Sequence, residues 1–340
     1  MAHGITSRDG VFAVREPMWH GLGVVLPDHP DRAQAQAIAH PWEPVSEPIY
    51  RKVLAVSDPG FEGDEGRLTE RFEEVPEYVL NARSDDGGTL GVVSSTYQTV
   101  TNSEMYDIAE AIDGEGHGQV QYETGGSLRG GAKVWLLLRL REPLVVPGDP
   151  NGATIPYYGL QNQHDGMGAF RGQCTMVRIV CENTSQMADL DAQARGTEFV
   201  FRHTKNVRDK IEQARAALAG WRDSIDRWRL VTEHLVDVTL TREQVETFIS
   251  EFVPMPPPHA TSNRVVQNVE DARGTLRTIL ASETCEGIEQ TAYGMVQASV
   301  EYLQHYRRAQ STESRFKRAY LDRNRIVSDA HRLALEVAVS

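Results

Sequence analysis

Residues 199–228 read FVFRHTKNVRDKIEQARAALAGWRDSIDRW, and within them the chain changes its period. From Thr204 onward Val207, Ile211, Ala214, Leu218, Trp221, Ile225 and Trp228 recur at alternating steps of four and three. That spacing places one continuous apolar seam on a long helix, and such a helix needs a broad surface to lie on. Upstream, the first half reads as short strands. Glu77 to Arg83, Thr89 to Ser94 and Ala132 to Leu140 are rich in β-branched, aromatic and leucine residues. They are bounded by Asp85-Asp86-Gly87-Gly88, Gly125-Gly126 and Pro147-Gly148-Asp149-Pro150-Asn151-Gly152, which favour turns. One helix interrupts them: Thr101-x-x-Glu104 is a capping box ahead of Met105, Ile108, Ala109 and Ile112, with Gly114 as its stop.

Downstream, Thr241-x-x-Gln244 caps a short helix and Pro254-Met-Pro-Pro-Pro258 forms a stiff connector. Helices are then expected over Arg264 to Leu280, over Glu286 to Arg308 and near the C-terminus. The fold class expected is α+β: a β-rich core with one inserted helix over 1–203, a long and a short helix over 204–253 packed on it, a Pro-rich connector over 254–263, and a helical region over 264–340. The acidic stretch from Asp58 to Glu77 is expected as a solvated excursion between strands.

The 340 residues are 40% apolar and 24% charged, which excludes disorder, collagen and a coiled-coil rod as descriptions of the whole chain. The longest uninterrupted apolar run, Val134 to Leu138, is far short of a membrane span, and MAHGITSRDG lacks an apolar signal core. A cytoplasmic protein is expected. Cys174, Cys181 and Cys285 include no C-x-x-C pair, so neither a disulfide framework nor a cysteine-built zinc site is expected. The net charge of −13 argues against a protein that coats nucleic acid with its whole surface. The charge is uneven, however: residues 171–232 and 300–340 each carry +3, and charge acts on a phosphate only within about 8 to 10 Å.

Nucleotide, metalloprotease, hydrolase-elbow and dinucleotide motifs are absent, so no cofactor and no metal are expected. Gly125 to Gly131 precedes a strand rather than a helix and reads as a flexible hairpin loop. His164-Asp165-Gly166 is the densest polar cluster. A His beside an Asp can act as general base or ligand only where the chain turns, because adjacent strand residues face opposite ways.

The segment 171–232 is more informative. Arg171 and Arg178 fall on an expected strand, and Arg202, His203, Lys205, Arg208 and Lys210 cluster beside Phe199 and Phe201. Cations beside exposed rings suit single-stranded nucleic acid, since cations neutralise phosphates while rings stack on bases. Parity puts Arg171 and Arg178 on opposite faces unless Gly172 introduces a bulge. Arg208, Arg215, Arg222 and Arg229 repeat every seven residues, but Glu212 and Asp226 stand where ion-pair ladders would absorb them.

Trp19-His20-Gly21-Leu22-Gly23, Asn162-x-His164-Asp165-Gly166, Arg178-Ile-Val-Cys181-Glu-Asn183-Thr184, Arg202-His203-Thr204 with Asn206, and Thr291-Ala292-Tyr293-Gly294 ahead of Glu301-Tyr302 carry a resemblance over nearly the whole chain. Together they resemble the phage/plasmid-like protein family, a domain-of-unknown-function family of phages, plasmids and actinobacterial genomes. Ser185-Gln186 departs from it, since many members have a small or aliphatic residue there. Accessory proteins of this context look like the single-strand-annealing recombinases of the RecT and Erf type. The resemblance therefore implies a homo-oligomeric protein that binds and anneals single-stranded DNA without nucleotide hydrolysis, with Arg171, Arg178, Arg202, His203, Lys205, Arg208 and Lys210 as backbone contacts. The alternatives are an enzyme using the His164-Asp165 turn, with His20 or His203 folded close to it, and a structural or regulatory phage protein that binds another protein through its acidic half.

Overall fold

The structure is a computed structural model and describes residues 6–15, 22–56, 68–113, 120–178, 183–186, 198–204, 209, 221–257, 262–307 and 325–339. Strands fill the first half: β1 (Val11–Val14), β2 (Val24–Leu26), β3 (Pro44–Val56), β4 (Leu68–Arg83), β5 (Thr89–Ser94), β6 (Val120–Leu128), β7 (Lys133–Leu140), β8 (Leu144–Val145), β9 (Ala153–Gln163), β10 (Phe170–Arg178), β11 (Asn183–Gln186) and β12 (Glu198–Phe201). Two helices, α1 (Arg32–Ala39) and α2 (Asn102–Asp113), stand among them. After β12 the described elements are helical: α3 (Trp221–Asp237), α4 (Arg242–Phe252), α5 (Asn263–Leu280), α6 (Ala292–Glu301) and α7 (Arg325–Val339). The architecture is α+β, with the change of period at residues 199–228 marking the boundary.

The larger sheet runs β11-β10-β9-β7-β6-β1-β2, with β12 also beside β10 and β8 beside β9. Among the described strands only β1 and β2 pair in parallel. Its central strand β7 is the apolar run noted in the sequence, and Val134 to Leu138 are all buried because both faces of the strand are covered. Leu136 and Leu138 enter the main core, whereas Trp135 joins Val11 and Leu128 in a small cluster of their own. The main core is continuous from Phe12 through Leu136, Tyr158 and Phe199 to Trp228, Phe248, Tyr293 and Val337, so sheet and helices share it. Every residue of α6 is buried. Backbone bonds from Leu240 N to Gln290 O (2.8 Å) and from Ala292 N to Val238 O (2.9 Å) strap its start to the α3–α4 connection.

Both capping boxes form. Thr101 N donates to Glu104 Oε2 (2.8 Å) and Glu104 N to Thr101 Oγ1 (3.1 Å), and Thr241 with Gln244 does the same for α4. Elsewhere packing overrides local reading. Gly125 and Gly126 lie inside β6 rather than in a loop: a Cβ on Gly125 would come within 2.8 Å of Leu136 Cδ1, and one on Gly126 within 2.9 Å of the Gly10 carbonyl. The turn itself is Arg129–Gly131, where Gly130 and Gly131 take φ of 70° and 100°.

The acidic stretch is also strand for its last ten residues. β4 pairs along β3, and its carboxylates are matched across the ladder, Arg51 to Glu73 at 2.9 Å and Lys52 to Glu70 at 2.5 Å. With β5 these form a second, three-stranded antiparallel sheet, beyond which β3 and β4 continue as a two-stranded ribbon. The expected helix over Glu286 to Arg308 is broken. A 3₁₀ turn at Glu283–Cys285 and Gly287 at φ 82° precede Thr291, which caps α6, and a π turn follows at Tyr302–Tyr306. The helix bearing Trp221 runs on to Asp237, and its Arg229 pairs with Glu233 (2.8 Å) instead of Asp226. Arg208, Glu212 and Arg215 of the expected ladder lie outside the described residues. Among the described residues no helix is long and apolar enough to cross a membrane.

Candidate functional site

Where β9 leaves the sheet, four other segments converge on the turn 163–166. Gln163 O accepts from Tyr97 Oη (2.7 Å), and Asn162 Nδ2 donates to Val100 O (2.9 Å). His164 N donates to Ala132 O (2.8 Å), while its carbonyl accepts from Asn81 Nδ2 on β4 (2.9 Å). Gly166 turns the chain at φ 76°, and Gly91 on β5 lets the Asp165 backbone approach where a Cβ would stand only 2.6 Å away. Asn81, Asn102, Asn162 and His164 are all buried, and each is held by bonds to backbone or to one another.

The His164 and Asp165 side chains do not form a dyad. Asp165 Oδ1 accepts from Met167 N (2.9 Å), closing its own turn. His164 instead faces Asn102, with Nε2 3.2 Å from Oδ1. Asn102 is fixed in turn by its Nδ2, which donates to Trp42 O (2.7 Å), so its Oδ1 is the acceptor and His164 Nε2 carries the proton. Trp42 stands edge-on to the imidazole at 5.7 Å and carries the Arg83 guanidinium over its own ring at 4.5 Å. Burial, reinforced by the nearby His203 and His40, pushes His164 down to about 3, so the ring is neutral at ordinary pH.

His203 belongs to this interior and not to the surface. It follows β12, stacks on Tyr97 at 4.5 Å, and is 6% exposed. Its Nδ1 donates to Gln98 O (3.0 Å), and Gln98 N donates back to the His203 carbonyl (3.2 Å). Burial lowers its pKa and the bond to Gln98 opposes that shift. His203 is therefore withdrawn from the set of expected phosphate contacts. Phe199 and Phe201 are withdrawn as base-stacking rings: they stack on each other at 4.9 Å, and Phe199 packs on Phe170 at 5.2 Å within the core.

The basic positions divide in the same way. β10 pairs with β9 from Arg171 to Arg178 without a register shift, so no bulge re-aims either arginine and the two positions have opposite parity. Gly172 serves close packing instead, with the rings of Phe199 and Tyr158 at 2.5 and 2.9 Å from where its Cβ would be. Arg171 lies opposite Val200, and Arg202 follows two residues later, which puts Arg171, Val200 and Arg202 on one exposed face at the sheet margin. Lys205, Arg208 and Lys210 lie outside the described residues. Among the described residues no three His, Cys, Asp or Glu gather as a metal cluster.

Sequence reasoning brought His203 near the His164 turn only within the enzyme alternative, beside His20, and missed what joins the two histidines, the segment from Tyr97 to Asn102. That segment carries no motif beyond its capping box; its contribution is carbonyl oxygens and an amide delivered by tertiary packing.

A family model described as Domain of unknown function (DUF932) matches residues 89–324, and the chain belongs to that family. The match takes in Asn162 to Gly166, Arg178 to Thr184, Arg202 to Thr204 and Thr291 to Gly294, and excludes Trp19 to Gly23. Comparison with curated proteins and with solved structures finds no match.

Proposed function

We propose that this DUF932 chain binds single-stranded DNA along the margin of its larger sheet and anneals complementary strands as a homo-oligomer, without hydrolysing nucleotide. The observation that carries the reading is the pair Arg171 and Arg202, exposed on one face about Val200 and without a carboxylate partner among the described residues. By contrast, Arg83, Arg139, Arg229, Arg273, Arg277 and Arg332 each stand beside an acid. Lys205, Arg208 and Lys210 follow Arg202 directly in the chain and extend the same positive run. With Phe199 in the core and Phe201 packed against it, the mode of binding is backbone neutralisation, indifferent to base identity.

Oligomerisation is supported by the β3–β4 ribbon, which exposes Tyr50, Leu54 and Phe72 on one face at 54%, 62% and 68%. A two-stranded ribbon is marginal by itself, and a neighbouring copy of the chain would cover this face. Titration of a labelled thymidine oligonucleotide tests the binding. The expected result is binding at low salt that weakens as salt rises, with the log–log slope reduced by about 1.4 in the double variant Arg171→Ala/Arg202→Ala, from about 0.7 per phosphate contact. Absence of binding at low salt, or binding indifferent to salt, overturns the reading. Light scattering tests the assembly: a multimer that dissociates on Leu54→Ser/Phe72→Ser supports it, and a monomeric parent chain refutes it.

A further inference from the structure

His164 and His203 each have one ring nitrogen committed and one idle. Carbonyl oxygens accept and never donate, so the nitrogens that face Asn102 Oδ1 and Gln98 O are the N–H groups. In the neutral rings, His164 Nδ1 and His203 Nε2 are consequently bare lone pairs, and neither has a hydrogen-bond partner among the described residues. Both rings are more than nine-tenths buried. An unpartnered acceptor in the interior is costly, and native proteins seldom leave two together.

His40 shows how this same fold treats an imidazole that only packs. It is equally buried, its Nε2 donates to Gly126 O (2.9 Å), and its Nδ1 accepts from Tyr106 Oη (3.0 Å). Nothing is left over. At His164 and His203 the pattern is the one that metal-binding histidines show: the distal N–H is anchored on a carbonyl oxygen, which fixes the tautomer and aims the other nitrogen. The two rings are also neighbours in space: His203 stacks on Tyr97 at 4.5 Å, and the Tyr97 hydroxyl donates to the carbonyl of Gln163, the residue before His164, at 2.7 Å. Between them runs the segment whose Gln98 and Val100 carbonyls hold His203 and Asn162, and its Thr99 Oγ1 is a third buried polar atom without a partner.

We propose that His164 Nδ1 and His203 Nε2 are the protein ligands of a divalent d-block cation of the zinc class, with water completing its coordination. Neutral imidazole suits such ions and not magnesium or calcium, which take oxygen. With only two histidine ligands the bound ion keeps open positions, so the site is of the exchangeable kind rather than a closed structural one. This inference is independent of DNA binding by Arg171 and Arg202, so either can fail while the other stands.

The test uses the full chain, stripped with chelator and titrated with cobalt(II) while the visible d–d bands and bound metal are followed. One cobalt per chain is expected, with affinity reduced at least tenfold in His164→Gln and in His203→Gln and unchanged in His305→Gln, an exposed histidine elsewhere. Should the first two variants fail to fold, nitrogen-15 NMR of the parent chain decides. Zinc must then shift His164 Nδ1 and His203 Nε2 while leaving both nitrogens of His40 in place. Cobalt that does not bind, that binds equally to all variants, or ring nitrogens that ignore zinc because water alone bridges them, overturns the proposal.

Discussion

Among the described residues, two niches in the β-rich half bury imidazole, and they differ in how much of it they use. At His40, between α1, α2 and β6, both nitrogens are bonded. At His164 and His203, where β9, β12 and the 97–102 segment meet, each ring has one nitrogen bonded and one bare. Burial does not separate the niches, and neither does acidity: His40 is pushed down to about 4 and His164 to about 3, in both cases chiefly by desolvation. The count of satisfied nitrogens does separate them. A packing histidine is closed on both sides, whereas a histidine with one anchored N–H and one free lone pair is built to meet something else.

The largest test concerns what the niches share. An unfolded histidine titrates near 6.5, so as pH falls through the range from 6.5 to 4 the unfolded chain takes up protons that folded His40 refuses. Stability is thus fully present above 6.5 and lost on descent, by on the order of 3 kcal/mol for His40 alone. His164 prolongs the loss toward pH 3. Urea midpoints measured across this range should fall steeply, and His40→Leu should flatten the fall; an unchanged slope in that variant breaks the assignment. The next test sharpens the contrast at neutral pH. His40→Leu strands both the Tyr106 hydroxyl and the Gly126 carbonyl and should cost about 2 to 5 kcal/mol, while His164→Leu strands only Asn102 Oδ1 and should cost about 1 to 3 kcal/mol. Equal costs, or the reverse order, would show that the idle nitrogen already has a firm partner.

Smaller effects lie at the surface. Arg171→Ala/Arg202→Ala should change stability by less than about 0.5 kcal/mol while altering the salt dependence of oligonucleotide binding, which separates recognition from folding. Smallest of all, Glu246→Gln should cost about 0.2 to 1 kcal/mol by releasing the exposed Arg277 that links α5 to α4 at 2.7 Å. A larger loss there would mean that the helical half depends on its surface charge more than on its core.

Much of this fold could be read beforehand where one residue type has one job. Thr101 with Glu104, Thr241 with Gln244, and the apolar run inside β7 gave their elements because caps and buried strands are local signals. The ribbon formed by β3 and β4 was hidden, because Glu70 and Glu73 look solvated until the basic residues across the ladder are known. The proposed nucleic-acid surface held an unused clue. The alternation that separates Arg171 from Arg178 also puts Phe199 and Phe201 on the face opposite Arg202, so rings and cation were never on one side. The meeting of His164 with His203 had no such signal, being created by backbone carbonyls whose placement depends on tertiary packing.

The helix α6 has no face turned to water, and it lies among α3 and α5, which precede it, α7, which follows it, and β11 of the sheet. During synthesis, therefore, β11 emerges long before the helix that packs on it. β11 stays without that cover until residue 301 has cleared the ribosome, roughly six seconds or more later at ordinary elongation rates of about 5 to 20 residues per second. A cell that makes this protein must shield that surface for the interval, so its yield should follow chaperone supply and elongation speed more closely than the stability of the finished molecule.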